Sequence, residues 1–269
     1  MQTISEKQVP MPAAQPQTKA HEAFLALVAM AENGTRPSDL DLRRVERVAR
    51  DSIGVDAVNA YQALGVVGML RWSIEMVREN FRHAMRLSSS ADILANFARA
   101  LADINQPSEA AEQMESAALR EPENLEFLRG AIAYRFCAGE WSRADELLKT
   151  LALRILDSDD EMQSFKNAID LSKAIGVREE TVRKTIDCAL RFLSERKICA
   201  KHFSHGSDRM PGEECIYINL HIDPSDGNAR ALDEELTPLL FDEIDDLQLG
   251  SFVLYIEPTD STHVPIRLH

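Results

Sequence analysis

Aromatic residues make up only 6% of this 269-residue chain, so its core cannot be built mainly from stacked rings, and the plentiful Ala and Leu point to closely packed helices instead. Cysteine is confined to Cys137, Cys188, Cys199 and Cys215, too far apart to form a disulfide framework, which implies a reducing compartment, the cytoplasm. Long hydrophobic runs are missing: no stretch approaches the ~20 apolar residues that a membrane-spanning helix needs. The apolar run from Phe24 to Ala31 is short, is flanked by Glu22 and Glu32, and follows a charged, proline-containing tail, so it reads as a helix and not as a signal peptide. Basic charge is also in deficit. Thirty Lys and Arg stand against 44 Asp and Glu, a net charge of −14, which would repel a phosphate backbone and favours a basic protein surface as partner.

A repeating layout organises what is present. From Ala91 to Asn124 the chain reads as two helices joined at Asn105-Gln106-Pro107. The first carries Leu94, Phe97, Ala98 and Leu101 at i, i+3, i+4, i+7, an apolar stripe at the helical period. Pro107 suits the first turn of the second helix, with Ser108 and Glu109 beside it, and Pro122 stops it. That second helix presents Ala110, Met114, Ala117 and Ala118, where small residues allow a close approach. One 34-residue step later, Ala110-x3-Met114-x2-Ala117 becomes Ala144-x3-Leu148-x2-Leu151. Val77-x3-Phe81-x2-Ala84 stands 33 residues upstream, and Val182-x3-Ile186-x2-Ala189 recurs downstream after a small insertion. A period near 34 with paired helices is the mark of a solenoid, in which no unit can bury its apolar face alone.

On these residues the chain resembles the tetratricopeptide repeat family over about residues 58–196. The likeness rests on Tyr61-x2-Leu64-Gly65 with Phe81 and Ala84 in one unit, and on Leu94, Ala98, Ala110, Ala117 and Pro122 in the next. The pattern is broken at Arg135, where Tyr is usual, and at Leu151 and Leu156, which replace Ala and Pro. The resemblance implies an α-solenoid of helical hairpins whose first helices line a groove for a partner, placing Asn59, Gln62, Asp92, Asn96, Arg99 and Arg129 towards that groove. Of the family's clamp for a terminal carboxylate, only Arg99, Arg129 and Asn96 are available here.

The rest of the chain divides around the repeats at 57–196. Residues 1–18, with Pro10, Pro12 and Pro16 among polar residues, read as a disordered tail. Residues 19–56 read as two capping helices, the second opened by Ser38 with Asp39 and Asp41 in its first turn. An acidic turn, Asp157 to Glu161, caps the helix that follows it. Residues 197–214 are polar, contain Gly206, Pro211 and Gly212, and read as a linker. Residues 215–269 read as a small acidic α+β domain in the order β-α-β-β. A strand from Cys215 to Ile222 has Ile216, Ile218, Leu220 and Ile222 on one face, and a helix from Arg230 to Asp242 has Leu232, Leu236, Leu239 and Leu240 inward. A strand follows at Ser251 to Ile256, and another at His263 to Leu268. From Gly206 to His269 there are 14 Asp and Glu against three Arg and no Lys, a net of −11. Most of the chain's charge therefore sits in its last quarter, with Asp242, Glu243, Asp245 and Asp246 forming an acidic cap suited to a basic partner.

Three other constellations bear on function. Leu171 to Ile186 has the small residue, turn glycine and β-branched residue of a DNA-reading helix-turn-helix, but Glu179 and Glu180 accompany Arg178, Arg183 and Lys184, so no basic stripe forms. Cys199-x2-His202-x2-His205 with Cys215 has zinc-ligand residue types, though not the spacing of a familiar knuckle, and no metal or other cofactor is expected. His221 and His263 lie near Asp223 and Glu257, but no nucleophile elbow or phosphate loop accompanies them. The expectation is a cytoplasmic, non-catalytic scaffold or adaptor that binds another, basic protein through the groove, the acidic cap or both. A narrower form is an immunity- or antitoxin-type protein neutralising a basic enzyme such as a nuclease. The second class is a DNA-binding regulator using residues 171–186, and an enzyme in the C-terminal domain is the third. The oligomeric state is left open by the sequence.

Overall fold

A computed structural model describes residues 18–32, 37–155, 159–210, 213–248 and 250–259. The expected tail (1–17) and the strand expected at His263 to Leu268 lie outside these residues. Among them run α1 (Lys19–Glu32), α2 (Asp39–Ser52), α3 (Ala57–Leu70), α4 (Ile74–Leu87), α5 (Ala91–Ala102), α6 (Pro107–Arg120), α7 (Leu125–Cys137), α8 (Trp141–Ala152), α9 (Asp160–Ala174) and α10 (Glu179–Glu195). Strands β1 (Ala200–Met210) and β2 (Glu213–Ile222), helix α11 (Ala229–Glu243) and strand β3 (Phe252–Pro258) complete them. No helix among the described residues is long and apolar enough to cross a membrane.

The helices stack on their sequence neighbours from α1 onward, as a solenoid does. The repeat is written into the backbone as well as the side chains. Trp72, Asn105 and Gly139, spaced by 33 and 34 residues, close the α3/α4, α5/α6 and α7/α8 turns in the left-handed region, with φ of 57°, 59° and 71°. In each, the next N–H reaches back to the fifth carbonyl before it: Ser73 to Gly68, Gln106 to Leu101, Glu140 to Arg135. This is the double-bonded helix terminus that a left-handed residue permits. Gly65 is needed for a different reason, since a Cβ there would lie 2.5 Å from the Phe81 ring that fills the α3/α4 interface. Arg135, which breaks the family pattern, is largely buried and pairs with Glu115 of the preceding unit at 2.6 Å and with Glu140. Local capping follows the residues too: Ser38 accepts the Asp41 N–H, and Asp159 accepts that of Met162.

Helix α10 lies across the ends of the hairpins. Its Arg183 backbone passes so near Gly139 that a Cβ there would come within 2.9 Å. Glu179 accepts the Ser142 N–H near the start of α8 at 3.0 Å. Further along, Ser194 accepts from the Asn105 side chain in the α5/α6 turn at 3.2 Å. The recurrent Val182, Ile186 and Ala189 are fully buried in this crossing.

The sheet corrects two sequence expectations. Residues 197–214 are not a linker: Ala200–Met210 is a strand, paired antiparallel with β2 from Ala200↔Ile222 to Met210↔Glu213. Its polar composition gives little strand signal, and what holds it extended is pairing with β2, not intrinsic propensity. The order is therefore β-β-α-β among the described residues, with sheet order β1-β2-β3 and β2 parallel to β3 through the α11 crossover. The β2 face is as expected, Ile216, Ile218, Leu220 and Ile222 being buried with Phe252, Leu254 and Ile256. Leu239, expected inward, is 37% exposed, because the buried ridge of α11 follows Leu232, Leu236 and Leu240 at steps of four and leaves it at the rim.

An aromatic cluster joins the sheet to the solenoid. Phe136 at the end of α7 contacts Trp141, Phe165 and His205 at centroid distances of 5.3, 4.6 and 4.8 Å, and Trp141 meets Phe252 of β3 edge-on at 6.1 Å.

Candidate functional site

The groove residues fall into two groups. Asn59, Gln62 and Asn96 converge. Asp56 caps α3 and accepts from the Asn59 amide at 3.0 Å; Gln62 Nε2 donates to Asn59 Oδ1 at 3.3 Å; and Asn96 Nδ2 donates to Gln62 Oε1 at 3.0 Å. Because Gln62 and Asn96 stand 34 residues apart, this ladder ties the first helices of successive units. Arg99 lies one turn beyond Asn96 on α5 and is half-buried near Tyr134, whose hydroxyl is pushed far above its ordinary range, chiefly by burial.

Arg129 belongs to a second cluster, donating to Asp159 at 2.8 Å and to Glu126 at 2.6 Å, so it braces α7 against the start of α9. Beside it, Glu161 has a buried Oε1 without a hydrogen-bond partner, and burial together with the Asp159 charge raises its carboxyl. Asp92 sits in the first turn of α5, where it accepts from Ser90 at 3.2 Å, and joins neither cluster.

The acidic cap is also divided. Glu243 pairs with Arg191, Asp246 with Arg178, and Glu235 on the same helix with Arg196 at 3.0 Å, so α10's arginines take up these carboxylates. Asp242 and Asp245 are exposed and have no partner among the described residues. Next to them on α11 stand Phe241, 56% exposed, and Leu239. Sequence reasoning missed the exposed aromatic; its only signal is that it falls off the Leu232, Leu236, Leu240 ridge.

In the helix-turn-helix segment, α9 and α10 flank a turn at Gly176, φ 73°. A reading helix contacts bases with its N-terminal residues. Here the Arg178 N–H donates to Gln248 at 2.8 Å, Glu179 holds Ser142, and Lys184 pairs with Glu180 at 2.8 Å.

The cysteine and histidine constellation does not converge. Alternation along β1 puts His202 and His205 on opposite faces. His205 lies between Phe136 and Phe165, 3.0 Å from the Ser164 hydroxyl, and burial lowers its imidazole. His202 faces His221 across the strands at 5.3 Å. Among the described residues no group of three His, Cys, Asp or Glu is arranged to hold a metal ion. His221 Nε2 lies 2.7 Å from Ser204 Oγ, and its Nδ1 lies 3.4 Å from the Pro258 carbonyl, which can orient a ring but brings no charge to stabilise an imidazolium. His263, the other member of the suggested pair, lies outside the described residues. Burial pushes the Cys137 thiol up to about 12 and also raises Cys188, so both stay protonated at neutral pH.

Comparison with protein-family models, with curated proteins and with solved structures finds no match to this chain.

Proposed function

We propose that this chain is a non-catalytic scaffold that holds another protein with a basic surface. The observation that carries the reading is the division of the acidic cap. Three carboxylates of the C-terminal unit are taken up by α10, while Asp242 and Asp245 remain exposed beside Phe241 and Leu239. An apolar anchor flanked by unspent negative charge suits a cationic amphipathic segment, the charge steering the encounter and the ring supplying contact area. The tetratricopeptide resemblance adds the concave face, where Asn59, Gln62 and Asn96 form a ladder. An immunity- or antitoxin-type neutraliser of a basic enzyme is the narrow form of the same reading. The spread cysteines favour the cytoplasm as its setting.

The test is affinity capture from native lysate with the tagged full chain and with D242K/D245K, at low and high salt. The reading expects a stoichiometric basic protein that is lost at high salt and lost with the charge-reversed variant. Asp246 is left intact because it docks on Arg178. A partner retained equally by D242K/D245K refutes the cap as the site. Recovery of nucleic acid alone, abolished by R183E/K184E, would instead support the DNA-binding regulator.

A further inference from the structure

The sheet treats its two edges in opposite ways. On β3, outward N–H groups are already satisfied: the Asp233 carboxylate accepts that of Ile256 at 2.9 Å, and the Gln248 carbonyl accepts that of Phe252 at 2.8 Å. Blocking of this kind prevents another strand from adding. On β1, the Ala200 N–H is taken by Asn105 Oδ1 at 3.0 Å, but from Phe203 to Ser207 no described residue supplies a backbone partner on the outer side. Five residues of strand edge, about 17 Å, are left open.

That edge faces a cleft of about 710 Å³ whose opposite wall is α9. His205, Gly206 and Ser207 all line it. Successive strand residues point to opposite faces, so a cleft touched by three in a row runs along the strand's edge. One more five-residue strand, about 4.8 Å wide, 10 Å deep and 17 Å long, fills roughly 800 Å³, which is the size of this space. The α9 wall contributes an apolar floor at Ala168 and Leu171, and Asp170 and Glu214 add negative charge with no Lys or Arg in the lining.

We propose that the open edge of β1 binds an extended, basic segment of a partner protein, which adds to the sheet as a fourth strand along α9. Main-chain hydrogen bonds to residues 203–207 give the affinity, and Lys or Arg side chains facing Asp170 and Glu214 give the preference. The inference deepens the scaffold reading, on a surface separate from the groove and from Asp242 and Asp245.

A displayed library of random seven-residue peptides, selected on the full-length chain, tests it directly. Enriched peptides should alternate β-branched or aromatic residues with Lys or Arg. They should bind at least tenfold more weakly to Asn167→Trp, which narrows the cleft from the exposed side of α9, and severalfold more weakly to Glu214→Lys. Amide exchange at residues 203–207 should slow when peptide is added. Failure to enrich any peptide, or equal binding to Asn167→Trp, overturns the proposal. So does slow exchange at 203–207 in the free monomer, which would place a segment of the same chain on the edge. A dimer by light scattering that Asn167→Trp dissociates would make the occupant a second copy, and also overturns it. None of these failures touches the D242K/D245K result, so the two readings fail separately.

Discussion

Asn105 is the residue on which the solenoid and the sheet are tied together, and its replacement gives a graded test. Its backbone closes the α5/α6 turn at φ 59°, while its side-chain amide donates to the Ile198 carbonyl at 2.8 Å and to Ser194, and accepts the Ala200 N–H at 3.0 Å. Ile198 and Ala200 are buried, so no water replaces these bonds. Each buried group left unsatisfied costs about 1–3 kcal/mol. An alanine must also adopt the left-handed conformation, at about 1 kcal/mol, whereas glycine adopts it freely. Asn105→Ala should therefore lose about 3–5 kcal/mol and Asn105→Gly about 1 kcal/mol less, measured by urea unfolding. Hydrogen exchange should locate the loss: amides of β1 and β2 should open before those of α3 to α8. An Asn105→Ala variant within 1 kcal/mol of wild type would refute the bridging role, and a glycine variant less stable than the alanine one would refute the backbone argument.

Other perturbations probe separate parts of the structure. Gly139→Ala combines a left-handed backbone with a Cβ 2.9 Å from the Arg183 Cα, and should cost about 2–4 kcal/mol in thermal or urea unfolding, since neither backbone can yield cheaply. Asp145 is buried among Lys149, Lys166 and Lys173, and those ammonium groups hold its carboxyl down at about 2 despite its burial. A lowered carboxyl stabilises the fold above the unfolded value near 3.8, and that contribution is lost as pH falls towards 2; Asp145→Asn should cost about 1–2 kcal/mol at pH 7 and flatten this acid limb of a stability–pH titration. For His205, buried neutral, the folded imidazole sits below its ordinary value of 6.5. The unfolded chain then binds the extra proton, so stability falls as pH drops below 6.5. His205→Phe should remove that dependence between pH 7 and 5.5 in a thermal-shift series.

Legibility in the sequence follows the range of the interactions. Local patterns carry through to the structure: the stripes of α3 to α8, the Ser38 and Asp159 caps and the buried face of β2 each depend on residues within a few positions of one another. Of the three repeated left-handed turns, Asn105 and Gly139 carry the residue types that favour φ above zero, but Trp72 does not, and nothing local marks it. In the groove, Gln62 and Asn96 are legible because their spacing is the repeat itself. Strand β1 is not, since Lys201 to Ser207 holds one large apolar side chain, Phe203, and becomes extended through a partner that follows it in the chain. The division of the acidic cap is invisible as well, because Arg178 and Asp246 are 68 residues apart in sequence.

That division decides how salt experiments on this protein are to be read. The links between α10 and the C-terminal unit, Arg178–Asp246, Arg191–Glu243 and Arg196–Glu235, join side chains that are roughly a third to two-thirds exposed. Pairs of this kind contribute about 0–1 kcal/mol each, and salt screens them further. The aromatic cluster holds the joint more strongly and does not depend on salt: truncating a buried ring such as that of Trp141 costs about 3–5 kcal/mol. High salt should therefore leave the sheet docked on the solenoid, while it weakens any complex steered by Asp242 and Asp245. The exchange of β2 and β3 amides should be unchanged, within about twofold, between 50 mM and 1 M sodium chloride, and Trp141→Ala should speed it at both. If salt alone opened the joint, loss of a partner at high salt would report the chain's own rearrangement, and the steering argument would lose its support.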